Sequence, residues 1–204
     1  AKEMGLPERV IKRLQVAAML HDIGMLAMPD AVLLCPGQLE EAQIRIMRRH
    51  PLLSVRIREG MEFLEQEIPA VRYHHERYDG KGYPEGIRGA AIPLTARILS
   101  VADCFDAVTT ERAFREAMGF SEAVAEMRRN ADTQFDPAVV DAFCHIAERM
   151  GESLLDVPGR AGTAWLGELL TEEDAEAMGP SDEFTEAEKP GPRADADNVS
   201  GKWK

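Results

Sequence analysis

Apolar residues recur at helical spacing through most of the first 150 positions. Val10, Ile11, Leu14, Ala17, Ala18 and Leu20 form one stripe that runs up to His21, and spacing of three to four residues marks an amphipathic helix. Pro7 suits its first turn and Gly24 its end. Residues 26–34 read as a loop or short turn, broken by Pro29 and followed by Pro36. A second helix is predicted over 39–59, with Ile44, Met47, Leu52, Val55 and Ile57 apolar. Pro51 should kink it next to His50, because proline has no N–H to donate. Residues 68–76 predict a third helix, followed by the glycine-rich stretch Tyr78-Asp79-Gly80-Lys81-Gly82-Tyr83-Pro84-Glu85-Gly86. Residues 94–110 are long and strongly apolar, as a central buried helix should be. Ser121 is placed to cap a helix over 122–130. Asp136-Pro137 opens another that ends near Gly151. No alternating strand pattern and no repeat interrupts this series, so the predicted class is all-α.

Beyond Gly151 the pattern weakens. Residues 165–178 predict one more helix, and residues 179–204, rich in Pro, Gly, Asp and Glu, predict a disordered tail. The domain division expected is a core over 1–150 and an acidic extension over 151–204. Charge follows the same division: the extension holds thirteen acids against five bases, so it carries −8 of the net −12. With no strong basic surface, long nucleic acid is excluded as a partner. A small anionic ligand is not excluded, since a bound metal ion supplies local positive charge. No window approaches the run of about 18 apolar residues that a membrane span requires. The chain opens Ala1-Lys2-Glu3-Met4, without a signal peptide or an initiator methionine. Cys35, Cys104 and Cys144 are odd in number and far apart, which predicts free thiols in a reducing cytoplasm.

Four of the five histidines stand beside other chemistry-bearing residues. His21 precedes Asp22 at the end of the first helix, His50 precedes Pro51, and His74 and His75 are adjacent at the end of the third helix. Asp103 lies in the central helix, within Ala102-Asp103-Cys104-Phe105-Asp106. Imidazoles and carboxylates of this kind suit Fe, Mn or Zn. A carboxylate such as Asp22 can bridge two cations, and a pair about 3.5–4 Å apart would activate water and clamp both ends of a phosphodiester displacement. Spacing permits such convergence without dictating it, because adjacent residues on a helix point about 100° apart. His145 has no acidic or histidine neighbour and reads as structural.

The segments themselves carry a resemblance. Leu20-His21-Asp22-Ile23-Gly24 resembles the HD signature of metal-dependent phosphohydrolases. His74-His75-Glu76-Arg77-Tyr78-Asp79-Gly80-Lys81-Gly82-Tyr83-Pro84 resembles the block that defines the HD-GYP family. Ile92-Pro93 with Ala96-Arg97-Ile98, Val101 through Ala107, Arg112-Ala113-Phe114-Arg115 and Phe135-Asp136-Pro137 also match, in the family's order, over about residues 5–145. The resemblance implies an all-helical HD-type bundle with a GYP loop and a centre of two divalent metal ions, Fe or Mn, on which Asp22 is catalytic. His21, Asp22 and Asp103 match the ligands of a first ion. His50, His74 and His75 match those of a second, with Asp22 bridging. Tyr83, Arg112 and Arg115 match positions near the substrate, and a guanidinium grips phosphate oxygens bidentately. The implied substrate is cyclic di-GMP, opened to linear pGpG or cut to GMP. The implied partners are that cyclic dinucleotide, a diguanylate cyclase domain and an upstream regulatory domain, and the resemblance is compatible with a homodimer.

The chain departs from the family pattern in three places. The family has a further ligand helix ahead of the region where this chain starts. It has a lysine where this chain has Met25, expected to contact the scissile phosphate. It commonly has a lysine where Cys35 precedes Pro36-Gly37. Two readings follow: a metal-dependent cyclic dinucleotide phosphodiesterase weakened at Met25, or a non-catalytic module of the same fold that binds nucleotide or docks a cyclase domain through Gly82-Tyr83-Pro84. An HD phosphohydrolase of another nucleotide is a third, disfavoured by the histidine-to-GYP block.

Overall fold

The structure is a computed structural model that describes residues 1–57, 64–111 and 116–156. The chain divides into units 1–160 and 161–204. The second unit lies outside the described residues, and with it the helix expected over 165–178 and the tail expected from 179; so do Arg112 and Arg115. Eight α-helices occur among the described residues: α1 (Glu8–Leu20), α2 (Asp30–Leu33), α3 (Glu41–Met47), α4 (His50–Ile57), α5 (Ile68–Tyr73), α6 (Leu94–Thr109), α7 (Phe120–Arg129) and α8 (Pro137–Met150). Short 3₁₀ turns lie at Ile23–Ala27, Gly89–Ala91 and Gly151–Leu155. The only extended pairing among these residues is an isolated bridge between Ala131 and Phe135. The all-α expectation is met.

Helix α6 is the central one, packed by α1, α5, α7 and α8. Ala96, Leu99, Val101, Phe105 and Val108 are its buried positions. Leu99 joins Leu14 and Ala17 of α1 and Ala70 and Val71 of α5 in one buried cluster. The small side chains of Ala17 and Ala70 let these helices approach closely, which brings the ends of α1 and α5 together. On its other side Phe105 meets Phe120 at 6.1 Å and Phe143 at 4.8 Å between ring centres. Arg97 of α6 pairs with Asp136. The other oxygen of Asp136 accepts from the Ala138 backbone N–H at 2.9 Å and so caps α8. No helix among the described residues is long and apolar enough to cross a membrane.

Some boundaries differ from the sequence pattern. The described part of the expected second helix, residues 39–57, holds two helices, because Pro51 suits the first turn of a new helix better than the middle of an old one. The break is closed by His50, whose Nδ1–H donates to the Met47 carbonyl at 2.8 Å. Residues 26–34 are more helical than expected, since Pro29 starts α2 instead of only breaking the chain. The third helix stops at Tyr73, where the chain turns into the glycine-rich loop. Helix α7 begins at Phe120 after Gly119, so Ser121 lies in its first turn and is not its cap.

Candidate metal centre

The six histidine and aspartate candidates all sit at or near one point in the fold. His21 and Asp22 follow the last turn of α1, His50 opens α4, His74 and His75 follow α5, and Asp103 lies along α6. Asp22, His50, His74 and His75 each offer a ligand atom within 4.8 Å of the others. The two oxygens of Asp22 face different neighbours. Its Oδ1 lies 3.2 Å from His50 Nε2 and 3.8 Å from His74 Nε2, while its Oδ2 lies 3.4 Å from His21 Nε2. His21 Nε2 also lies 3.5 Å from Asp103 Oδ1. Two donor sets thus share one carboxylate.

Hydrogen bonding to backbone aims the imidazoles. Nδ1 of His21 meets the Ala18 carbonyl at 2.7 Å, that of His50 the Met47 carbonyl, and that of His74 the Val71 carbonyl at 2.7 Å. A carbonyl only accepts, so each Nδ1 carries a proton and each Nε2 is turned to the centre, bare wherever the ring is neutral. Such second bonds are what orient metal-ligating histidines elsewhere. The Nε2 atoms of His50 and His74 face each other at 3.5 Å. Two lone pairs held that close favour a cation or proton nearby.

Charge differs across the centre. Burial pushes the His74 imidazole down to about 4, assisted by the charge of His21, and pushes His75 well below its ordinary value. Burial works the same way on His21, but the hydrogen bond to Asp103 and the charge of Asp22 outweigh it and raise that imidazole to about 9. Partial burial of Asp22 is likewise outweighed by His50, His21 and His74, which hold its carboxyl well below the usual carboxylate range. The donor set is nitrogen and oxygen without thiolate, as Fe, Mn and Zn accept. These residues fit a pair of divalent ions.

Two backbone contacts fix this geometry. A Cβ on Gly24 would lie 2.2 Å from the His50 carbonyl oxygen and 2.5 Å from the Ser54 nitrogen, so only glycine lets the turn after Asp22 lie against α4. Fully buried Ser54 completes the joint: its hydroxyl accepts from the Gly24 N–H at 2.8 Å and donates to the His21 carbonyl at 2.7 Å. The glycine-rich loop is folded back in a similar way. A Cβ on Gly82 would lie 2.3 Å from the Arg77 nitrogen and 2.6 Å from the His75 carbonyl oxygen. The buried Glu76 carboxylate accepts from the backbone N–H groups of Glu85 and Gly86 at 2.7 and 2.9 Å. Tyr83 is thereby stacked on His75, with ring centres 4.8 Å apart. Burial raises its phenol well above the ordinary range, so it stays protonated at neutral pH.

Sequence reasoning assigned no role to Ser54, Glu76 or Arg48. Ser54 stands one helical turn after His50, on the same face, and that was the available signal. His145 is exposed on α8, outside the cluster. Met25 lines a cavity of about 600 Å³ beside His21 and Asp22, together with Met19, Leu26, Met28 and Leu33. Its single charged residue beyond the centre is Asp30, and no lysine or arginine lines it among the described residues.

Comparison with known proteins agrees with this geometry. The HD domain family profile matches residues 1–139. The cyclic di-GMP phosphodiesterase response regulator RpfG of Xanthomonas campestris pv. campestris is 43% identical over 145 residues, covering 70% of this chain and 38% of that protein. The 3′3′-cGAMP-specific phosphodiesterase 3 of Vibrio cholerae is 40% identical over 124 residues, covering 61% of this chain and 27% of that protein. The chain therefore spans well under half the length of these relatives. The crystal structure of a cyclic GMP-AMP-specific phosphodiesterase of Vibrio cholerae superposes with a TM-score of 0.53 over 87% of this chain and 45% of that one, at 19% identity, which supports the fold. With the HD dyad, the histidine pair and the glycine-rich loop in one place, the chain belongs to the HD domain family, in its HD-GYP branch.

Proposed function

We propose that this chain is a metal-dependent phosphodiesterase that hydrolyses a cyclic dinucleotide. His21, Asp22 and Asp103 would hold one divalent ion, and His50, His74 and His75 would hold a second, with Asp22 contributing to both. The observation that carries this reading is the division of Asp22, one oxygen toward His21 and the other toward His50 and His74. When bound, Fe or Mn ions supply an activated water and neutralise charge on the phosphodiester. The protein's part is to aim the Nε2 atoms, to keep the His74 and His75 rings neutral, to hold Asp22 ionised, and to present Tyr83 at the rim. Arg112 and Arg115 are proposed to grip substrate phosphates. Hydrolysis adds water across one ring phosphodiester of cyclic di-GMP and leaves linear pGpG; a second cut leaves GMP. Residues 1–150 carry this activity, the acidic residues beyond extend it, and a diguanylate cyclase domain docks at Gly82-Tyr83-Pro84.

A second reading has one observation behind it. The cavity beside Asp22 is apolar where a phosphodiesterase gains from positive charge, which favours a binding module with weak chemistry. One experiment addresses both. Metal content of anaerobically purified protein is measured, and the protein is then incubated with cyclic di-GMP and, separately, 3′3′-cGAMP. About two metal equivalents with a linear product support the enzyme. Metal and nucleotide binding without product would support the module. Protein that takes up no metal under any loading condition would sink both.

A further inference from the structure

We infer that Arg48 is a substrate-phosphate ligand, on the side of the centre opposite in character to the Met25 cavity; this rests on the cyclic dinucleotide reading above. Arg48 sits in the break between α3 and α4, two residues before His50. Its guanidinium carbon lies over the Tyr83 ring, 5.4 Å from the centre. The same ring stacks on His75 at 4.8 Å and stands edge-on to His50 at 6.4 Å. Arg48, Tyr83 and His75 therefore form a stack that starts in solvent and ends in the donor set.

Three features make this a ligand position more than a solvated arginine. First, the guanidinium is held without being used up. A ring face orients the plane, and no carboxylate pairs with Arg48 among the described residues, whereas neighbouring Arg45 is committed to Glu41 at 3.0 Å. The fork of N–H donors stays available to a phosphate. Second, the ring that carries it is fixed from behind by Glu76 and Gly82, so Arg48 rests on a rigid support beside two of the imidazoles. Third, no lysine or arginine lines the cavity on the Met25 side among the described residues. A cyclic dinucleotide carries two phosphates; one is drawn to the divalent ions, and the second is held by side-chain cations, to which Arg48 adds a donor on a fixed support beside His75.

The test uses the full chain loaded with Mn, in wild-type, Arg48→Ala, Arg48→Lys and Arg49→Ala forms. Metal content is measured first, then calorimetric binding of a hydrolysis-resistant phosphorothioate cyclic dinucleotide, then KM and kcat. Arg48→Ala should keep its metal and weaken binding about 10- to 100-fold, the range for a charged hydrogen-bonding partner, with the loss in KM more than kcat. Arg48→Lys should recover part of it, because it keeps the charge and loses the planar fork. Arg49→Ala, which removes the adjacent exposed charge, should bind as wild type does. Binding by Arg48→Ala as tight as wild type overturns the assignment, and so does an equal loss in Arg49→Ala, which would mean diffuse charge. Wild-type protein that binds metal but no cyclic dinucleotide overturns the substrate reading itself and Arg48's role with it.

Discussion

The two halves of the centre are built on different principles. The half formed by His50, His74 and His75 lies in the interior, with His50 4% and His74 0% exposed, and burial keeps the His74 and His75 rings neutral. The half formed by His21 and Asp103 is closer to solvent, with side chains 20% and 28% exposed. There two carboxylates draw a proton onto His21, raising it to about 9. One half is prepared for a cation by withholding protons, the other by accumulating negative charge. Metal ligation requires neutral imidazole and ionised carboxylate, so His74 and His75 are already in their binding state at neutral pH. The second must exchange a proton for its ion. Asp22 belongs to both, which makes it the residue through which the comparison can be broken.

The largest effect should follow Asp22→Asn. An amide cannot bridge two cations, so both sites should weaken and hydrolysis should fall by at least about 10²–10³-fold, the scale of losing one preorganised charge at a reaction centre. His75→Ala should lower binding in the buried half and leave the His21 half able to take an ion. Elemental analysis after desalting checks this. If Asp22→Asn keeps two equivalents, the carboxylate is not shared.

The histidines and aspartates of this centre stood out through the resemblance of their segments to the HD and HD-GYP signatures, since their spacing permits convergence without dictating it. The helices were legible because each buries one apolar stripe. What holds the ligands in place was not, because it depends on which backbones touch. Ser54 is an ordinary serine on an apolar helix until Gly24 lies against it, and Glu76 is an ordinary acid until the loop returns two N–H groups to it. Two of the misplaced boundaries share a cause. Pro29 and Pro51 each stand at the start of a helix, and proline's sequence signal reads equally as a break.

Ser54 gives the next effect in size. Ser54→Ala leaves the buried Gly24 N–H and His21 carbonyl without this partner, at about 1–3 kcal/mol for an unsatisfied buried group. Thermal melting should show the loss. Beyond stability, the joint between the halves should loosen, so the metal-loaded variant should bind its ions less tightly per folded molecule than wild type. Unchanged metal affinity in a less stable protein would make Ser54 a packing residue only.

The halves should also respond to pH in opposite directions in metal-free protein. His21 has a folded value of about 9, above its unfolded value near 6.5. Its stabilisation is complete below about pH 6.5 and is lost as pH rises through 9. His74 is lowered to about 4, so its neutral form favours the fold above about pH 6.5, and that favour is lost as pH falls through 4. Chelator-treated protein should therefore melt highest where these windows meet, and His21→Asn should flatten the alkaline limb and, by removing a charge that helps lower His74, soften the acid limb to a smaller extent. An alkaline limb unchanged by that substitution would remove the charge argument for the solvent-facing half.

The smallest effect, and the one that bears most on activity, concerns Met25. A phosphodiester transition state gathers negative charge on its equatorial oxygens, and a fixed cation stabilises that charge as it forms. Met25 borders the cavity beside His21 and Asp22, and a thioether donates no hydrogen bond. Met25→Lys places an ammonium on a flexible stem at the more solvent-facing half, where desolvation of the new charge costs little. Asp30 in the same cavity gives it a counter-charge when no substrate is present. That pairing should limit the gain, so kcat should rise about tenfold, short of the full 10²–10³-fold of a preorganised donor. Single-turnover rates with cyclic di-GMP at fixed metal loading measure it. A rise in kcat with KM nearly constant would mean the lysine acts on the transition state. A fall in KM alone would mean it only helps the substrate bind, the role inferred for Arg48. No change in either would show that the His21 half needs no cation beyond its metal, and Met25 would then be a neutral occupant of that wall.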